Sequence, residues 1–186
     1  RLLVPKADYY IATSLKEENN KKINHNIGWF LRLAAAKNYL PAIWELAEDF
    51  SSKILRGYYK KDTLEIAARR IGVAENICCY LLENDPYNEK RGMIEEYLGR
   101  LFERDGQMLR AVEQLSKCNT ATAMFTLGKI YMYGKEDVSQ NLDKALEFMN
   151  KAQSMEHSKA QEDIAKISSW VQQNAQKRNQ ANYYNS

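Results

Sequence analysis

One pattern constrains this chain more than any other. A large aliphatic residue is followed at once by a small one and, three positions later, usually by an aromatic. It occurs as Leu46-Ala47 with Phe50, Leu98-Gly99 with Phe102, Leu127-Gly128 with Tyr131 and Ile164-Ala165 with Ser168. On a helix the aliphatic and the aromatic stand about one turn apart on one face. The small residue beside them lets a neighbouring helix approach closely. A second pattern alternates with the first: Ile27 and Ala34, Ala67 and Ala74, Ala111 and Cys118, and Ala145 and Ala152 are each seven positions apart. Seven residues make nearly two helical turns, so each pair returns to almost the same face. Two interlocking helical patterns, repeated at intervals of tens of residues, predict helix pairs stacked side by side.

Composition agrees. The 186 residues include only three prolines and eight glycines, too few for a fold of many tight β turns. A 45% hydrophobic share supplies a core, and 27% charged residues is ordinary for a globular chain. The formal net charge is +3, with Lys and Arg interleaved among Asp and Glu, which argues against a nucleic-acid footprint. The densest basic run, 56–61, also holds Gly57, Tyr58 and Tyr59 and is read as a solvated helix end. No stretch approaches the roughly 18 apolar residues of a membrane span.

Cys78 and Cys79 are adjacent and Cys118 stands alone. This is no disulfide framework, and Cys78 and Cys118 read as small buried residues on helices. The compartment stays open. Unpaired thiols favour the cytoplasm, and a trimmed signal peptide before Arg1 would place the chain in the periplasm.

Helices are expected over 7–16 and 23–37, separated by the polar residues 19–22. Pro41 opens a third helix, where its missing N–H does no harm, with Ala42, Ile43, Leu46, Ala47, Phe50 and Ile54 in a 3.6-residue period. Asp62 and Glu65 form a capping-box pattern at the head of a long helix that ends at Asn84-Asp85-Pro86. Further helices are expected over 90–105 and 107–117, turning at Asp105-Gly106, and over 120–133 and 142–154, joined by a loop. A last helix runs from about 158 past Trp170. The expected domain covers 1–171, and the Asn- and Gln-rich tail 172–186 is expected to fray.

The segment Ala123, Leu127-Gly128, Tyr131, Gly134, Asn141, Lys144-Ala145, Phe148, Lys151-Ala152 and Ala160 resembles the Sel1-like repeats, a subclass of the tetratricopeptide-like α-solenoids. The likeness is best over 120–165 and extends to 27–50 and 94–118. Three departures stand out. The helix after Asp62 is about three turns too long, Ser168 replaces an aromatic, and the paired cysteines of the family's secreted branch are missing. The resemblance implies an all-α fold: a right-handed α-solenoid of three to four stacked helical hairpins. It also implies a non-enzymatic scaffold or adaptor for a protein or peptide partner, in bacterial signalling, envelope assembly or secretion. Two rival readings are a dedicated inhibitor or immunity-type partner of one toxin or enzyme, and a repeat portion of a larger enzyme.

Residue chemistry points the same way. There is no HExxH, no CxxC pair, no Gly-rich phosphate loop and no nucleophile elbow. His25 and His157 read as solvated loop residues, and Glu95-Glu96 as a solvated face. No catalytic residue, metal ligand, cofactor or nucleic-acid partner is expected. In a curved stack the first helix of each hairpin lines the inner face. The positions turned toward it are Trp44, Glu48, Ser51 and Ser52; Glu96, Arg100, Glu103 and Arg104; and Phe125, Lys129, Met132 and Tyr133. Two aromatics, a soft methionine and mixed charge suit a protein interface. The alternative is that Trp44 and Phe125 are buried between hairpins.

Overall fold

The computed structural model describes residues 3–17, 24–59, 62–85 and 87–184. Among them are nine helices: α1 (Leu3–Glu17), α2 (Asn24–Ala36), α3 (Leu40–Leu55), α4 (Leu64–Asn84), α5 (Arg91–Arg104), α6 (Met108–Leu115), α7 (Ala121–Tyr133), α8 (Leu142–Ser154) and α9 (Ala160–Tyr184). No strand is present among the described residues; a single β-bridge joins Lys135 to Val138. The break expected at 19–22, the start at Ile23, and Pro86 lie outside the described residues, as do the side chains of His25 and Ile27. No helix of the described residues is long and apolar enough to cross a membrane.

The contacts gather into two compact units, Arg1–Leu101 and Phe102–Ser186, and the boundary falls within α5. In the first unit α1 packs on α2, α2 on α3 and α3 on α4; in the second α6 packs on α7, α7 on α8 and α8 on α9.

Local chemistry sets the helix ends. Thr120 and Asn141 cap α7 and α8, their side-chain oxygens accepting from the amides of Ala123 and Lys144 at 3.1 and 3.0 Å. At α4 the expected capping box does not form. Thr63, one residue later, accepts from the Ile66 amide, while Asp62 takes the Arg70 Nε at 2.6 Å and Glu65 pairs with Arg69. Asp62 lies one position too early to reach the helix amides.

Four helices close in the same way. The residue two past the C-cap donates its amide to a carbonyl five residues back: Tyr39 to Ala34, Tyr58 to Lys53, Gln107 to Phe102 and His157 to Ala152, at 2.9–3.2 Å. The residue between takes positive φ, and it is Asn38, Gly57, Gly106 and Glu156 in turn. This is the Schellman closure, which favours glycine or asparagine at that position. From Gln172 the polar tail, expected to fray, continues as helix to Tyr184. It holds neither Gly nor Pro, and its Gln, Ala, Lys and Arg residues are good helix formers.

The packing repeats locally. In the first unit Ala12, Leu31, Ala34 and Ala42 form a core edged by Tyr9, Phe30, Ala35, Tyr39 and Leu46. In the second, Met132, Ala145, Met149 and Ile167 are edged by Phe125, Tyr131, Leu142, Leu146, Ile164 and Trp170. Corner for corner, Ala34, Tyr39 and Ala42 correspond to Ala152, His157 and Ala160. The amides of Ala42 and Ala160 donate to the carbonyls of Tyr39 and His157 at 3.0 and 3.1 Å.

Each corner ring meets an aromatic of its own hairpin's first helix. Tyr39 packs on Tyr9 at 5.2 Å between centroids, and His157 on Phe125 at 4.0 Å. Ala12 then takes the place of Gly128, so Ile11-Ala12 with Leu15 is a further occurrence of the opening pattern. At Gly128 the close approach is direct: a Cβ there would lie 2.9 Å from Met149 Cγ and Cε on α8. In the final occurrence Ala165 is exposed.

Candidate functional site

The expected inner-face residues divide between the two units. Trp44, Glu48, Glu96 and Arg100 lie in the first. Trp44 is only 2% exposed, and its Nε1 donates to Asp85 Oδ2 at 2.8 Å. It is a core residue, not a surface anchor. The reason is helical geometry: Trp44, Ala47, Ser51 and Ile54 follow a three-then-four spacing and form a second buried stripe on α3. Ser51, also expected on the inner face, is fully buried with its hydroxyl 3.7 Å from Cys78 Sγ on α4. Burial pushes that thiol up to about 12 and leaves it inert.

Glu48 is half-buried and 3.3 Å from Lys90 Nζ. With Glu45, Asp49, Ser52 and Lys90 it lines a polar hollow of about 330 Å³. Glu45 accepts from Tyr9 Oη at 2.9 Å, and Asp49 from Lys53 Nζ at 2.6 Å. Burial, aided by the Glu45 bond, pushes the Tyr9 hydroxyl up to about 12. Glu96 and Arg100 pair within α5 at 3.4 Å, and Glu95 pairs with Arg91 at 2.9 Å. The two glutamates are thus half-buried and partnered rather than a solvated face. Glu48, Glu96, Arg100 and Arg56 all act on Tyr97, whose hydroxyl is raised chiefly by burial and next by Glu48.

The second unit holds Glu103, Phe125, Lys129, Met132 and Tyr133. Met132 is fully buried between α7 and α8. It stands one turn past Gly128 and shares the face that Gly128 turns to α8, so it does not belong to the surface. Glu103 pairs with Lys135 at 3.1 Å, and Arg104 is exposed at the end of α5. Phe125, Lys129 and Tyr133 do come together. They stand four apart on α7, a spacing that sets them in one strip. Lys129 Nζ lies 5.0 Å from the Tyr133 ring centre and 6.0 Å from that of Phe125. It is also 3.7 Å from Asp163 Oδ2 on α9.

Residues absent from the expected face complete this strip. Asp163 is 4% exposed and also takes Lys166 Nζ at 3.2 Å, while Lys166 pairs with Glu162 at 2.6 Å. Those two bonds raise the Lys166 ammonium above its usual value. Trp170 of α9 meets Tyr133 edge-to-face at 6.0 Å, and Tyr133 is 45% exposed. Asp163, Lys166 and Trp170 follow a three-then-four spacing that sets them on one face of α9, but their meeting with α7 is a tertiary contact that no local spacing carries. His157 is a half-buried corner residue stacked on Phe125, not a solvated loop histidine.

The strip joins exposed aromatic edges to a lysine held by a buried carboxylate. That arrangement can grip an apolar side chain and orient a polar neighbour. A second hollow, about 280 Å³, opens between α6 and the α7–α8 loop, with Leu109, Val112 and Tyr131 on its apolar side and Lys144 and Asp137 among its polar residues. Among the described residues no group of three or more His, Cys, Asp or Glu side chains is arranged to hold a metal ion. Set against the models of known protein families, the curated proteins and the solved structures, the chain matches none.

Proposed function

We propose that this chain is a non-enzymatic scaffold or adaptor of Sel1-like character, a stack of helical hairpins that holds a protein or peptide partner on the α7–α9 strip. The observation that carries the reading is the half-exposed Tyr133–Trp170 pair beside Lys129. Aromatic anchors with a cation, set in a polar surround, are the usual makings of a protein interface. The corner-for-corner likeness of α1–α3 and α7–α9 supports the repeat character. The family resemblance extends the proposal to bacterial signalling, envelope assembly or secretion. Trp44 and Met132, buried in the cores, are no longer part of the proposed face.

A photo-reactive residue placed at position 133, and separately at exposed Tyr58, tests this in native extract. A companion captured from position 133 and not from position 58 supports the reading. Capture from neither position, or equally from both, overturns it.

A further inference from the structure

Of the residues that build the α7–α9 strip, His157 is the one whose charge changes near neutral pH. Its ring lies flat on Phe125, 4.0 Å between centroids and 17° between planes. Its Nδ1 is buried, with no hydrogen-bond partner among the described residues. We propose that His157 is an acid-sensitive latch: neutral, it closes the α8–α9 corner on Phe125; protonated, it leaves that ring and loosens the corner with the first turn of α9.

The argument begins at Nδ1. With the proton on Nε2, Nδ1 carries only a lone pair, and burying it costs less than burying a charged N–H. Protonation creates a buried N–H with no acceptor on a ring that has also become a cation. The corner is poised to yield, because Glu156 holds φ at +62°, a region that resists any residue with a Cβ.

The charged neighbours do not rescue the cation. Lys159, two residues on, opposes it. Asp163 of α9 favours it but already lies 3.7 Å from Lys129 Nζ and 3.2 Å from Lys166 Nζ. Lys129, on α7, stands 6.0 Å from the Phe125 ring centre. On α8, Lys151 is 2.7 Å from Glu147, and the α8 atom bonded to the His157 backbone is the Ala152 carbonyl. Burial is the largest influence, and it lowers the ring below its ordinary 6.5. A histidine lowered on folding stabilises fully above the unfolded value. That contribution is lost as pH falls from about 6.5 toward the folded value. The corresponding corner in the first unit closes with Tyr39, a phenol in place of the imidazole.

The test is amide hydrogen exchange on the full chain, corrected for intrinsic rates, from about pH 7.5 to about pH 5.5, in wild type and His157→Tyr. The tyrosine variant copies the sister corner. Expected is a several-fold loss of protection over 155–163, relative to the middle of α7, in wild type and not in the variant. Equal pH responses in the two proteins overturn the latch. If the variant fails to fold, titration of the His157 ring protons in wild type decides. A midpoint below 6.5 supports the latch, and a midpoint at or above it overturns it.

Discussion

Trp44 stands three positions before Ala47 and seven before Ser51, and all three are buried on α3. From sequence, Trp44 fits two faces equally well, because α3 is buried on more than one side. Only the presence of α4, with Cys78 beside Ser51 and Asp85 beside the indole, decides between them. Trp44→Ala is therefore expected to destabilise the fold by about 3–5 kcal/mol, as truncation of a large core aromatic does. Denaturant unfolding measures this, and a loss below about 0.5 kcal/mol would mark a surface residue. Glu156 carries the opposite lesson. Nothing in its neighbours announces a left-handed residue, since the position usually holds Gly or Asn. Glu156→Gly is expected to raise stability by up to about 1 kcal/mol, tempered by the greater freedom of glycine in the unfolded chain. An unchanged or lower melting temperature would contradict that.

At the scale of elements, the helices were largely legible because their signals are local. Periodicity, Pro41, Thr120, Asn141 and the glycines at 57 and 106 each act within a turn or two of the boundary they set. The misplaced cap at Asp62 shows the limit of such signals, because Thr63 and Asp62 compete within one residue and the distant Arg70 settles the contest. Glycine at a helix–helix contact and glycine in open space should respond oppositely to alanine. Gly128→Ala gains about 1 kcal/mol of helix propensity but drives a Cβ to 2.9 Å from Met149 Cγ, an atom too near its own backbone to swing away. Overpacking of that kind costs about 1–3 kcal/mol, so a net loss is expected. Gly72, in the middle of α4, has nothing within 4 Å of an added Cβ, and Gly72→Ala should stabilise by about 0.5–1 kcal/mol. Paired unfolding curves check both, and the same sign for the two would refute the packing argument.

For the whole molecule, the all-helical architecture could be read because both sequence patterns are helical in period. The candidate site was read only in part. Phe125, Lys129 and Tyr133 lie on one helix, and their spacing alone sets them in a strip. Asp163 and Trp170 of α9 meet Lys129 and Tyr133 of α7 directly, a long-range fact that no local pattern carries. The burial of Trp44 and Met132 is likewise a consequence of neighbours. The measurement that tests the central claim most directly is the affinity of the companion captured at position 133, titrated against wild type, a Lys129→Ala, Tyr133→Ala double variant, and Tyr58→Ala. The account predicts a loss of about 2 kcal/mol or more, roughly thirtyfold, for the double variant, with unchanged melting and no loss for Tyr58→Ala. Undiminished affinity in a folded double variant would contradict it.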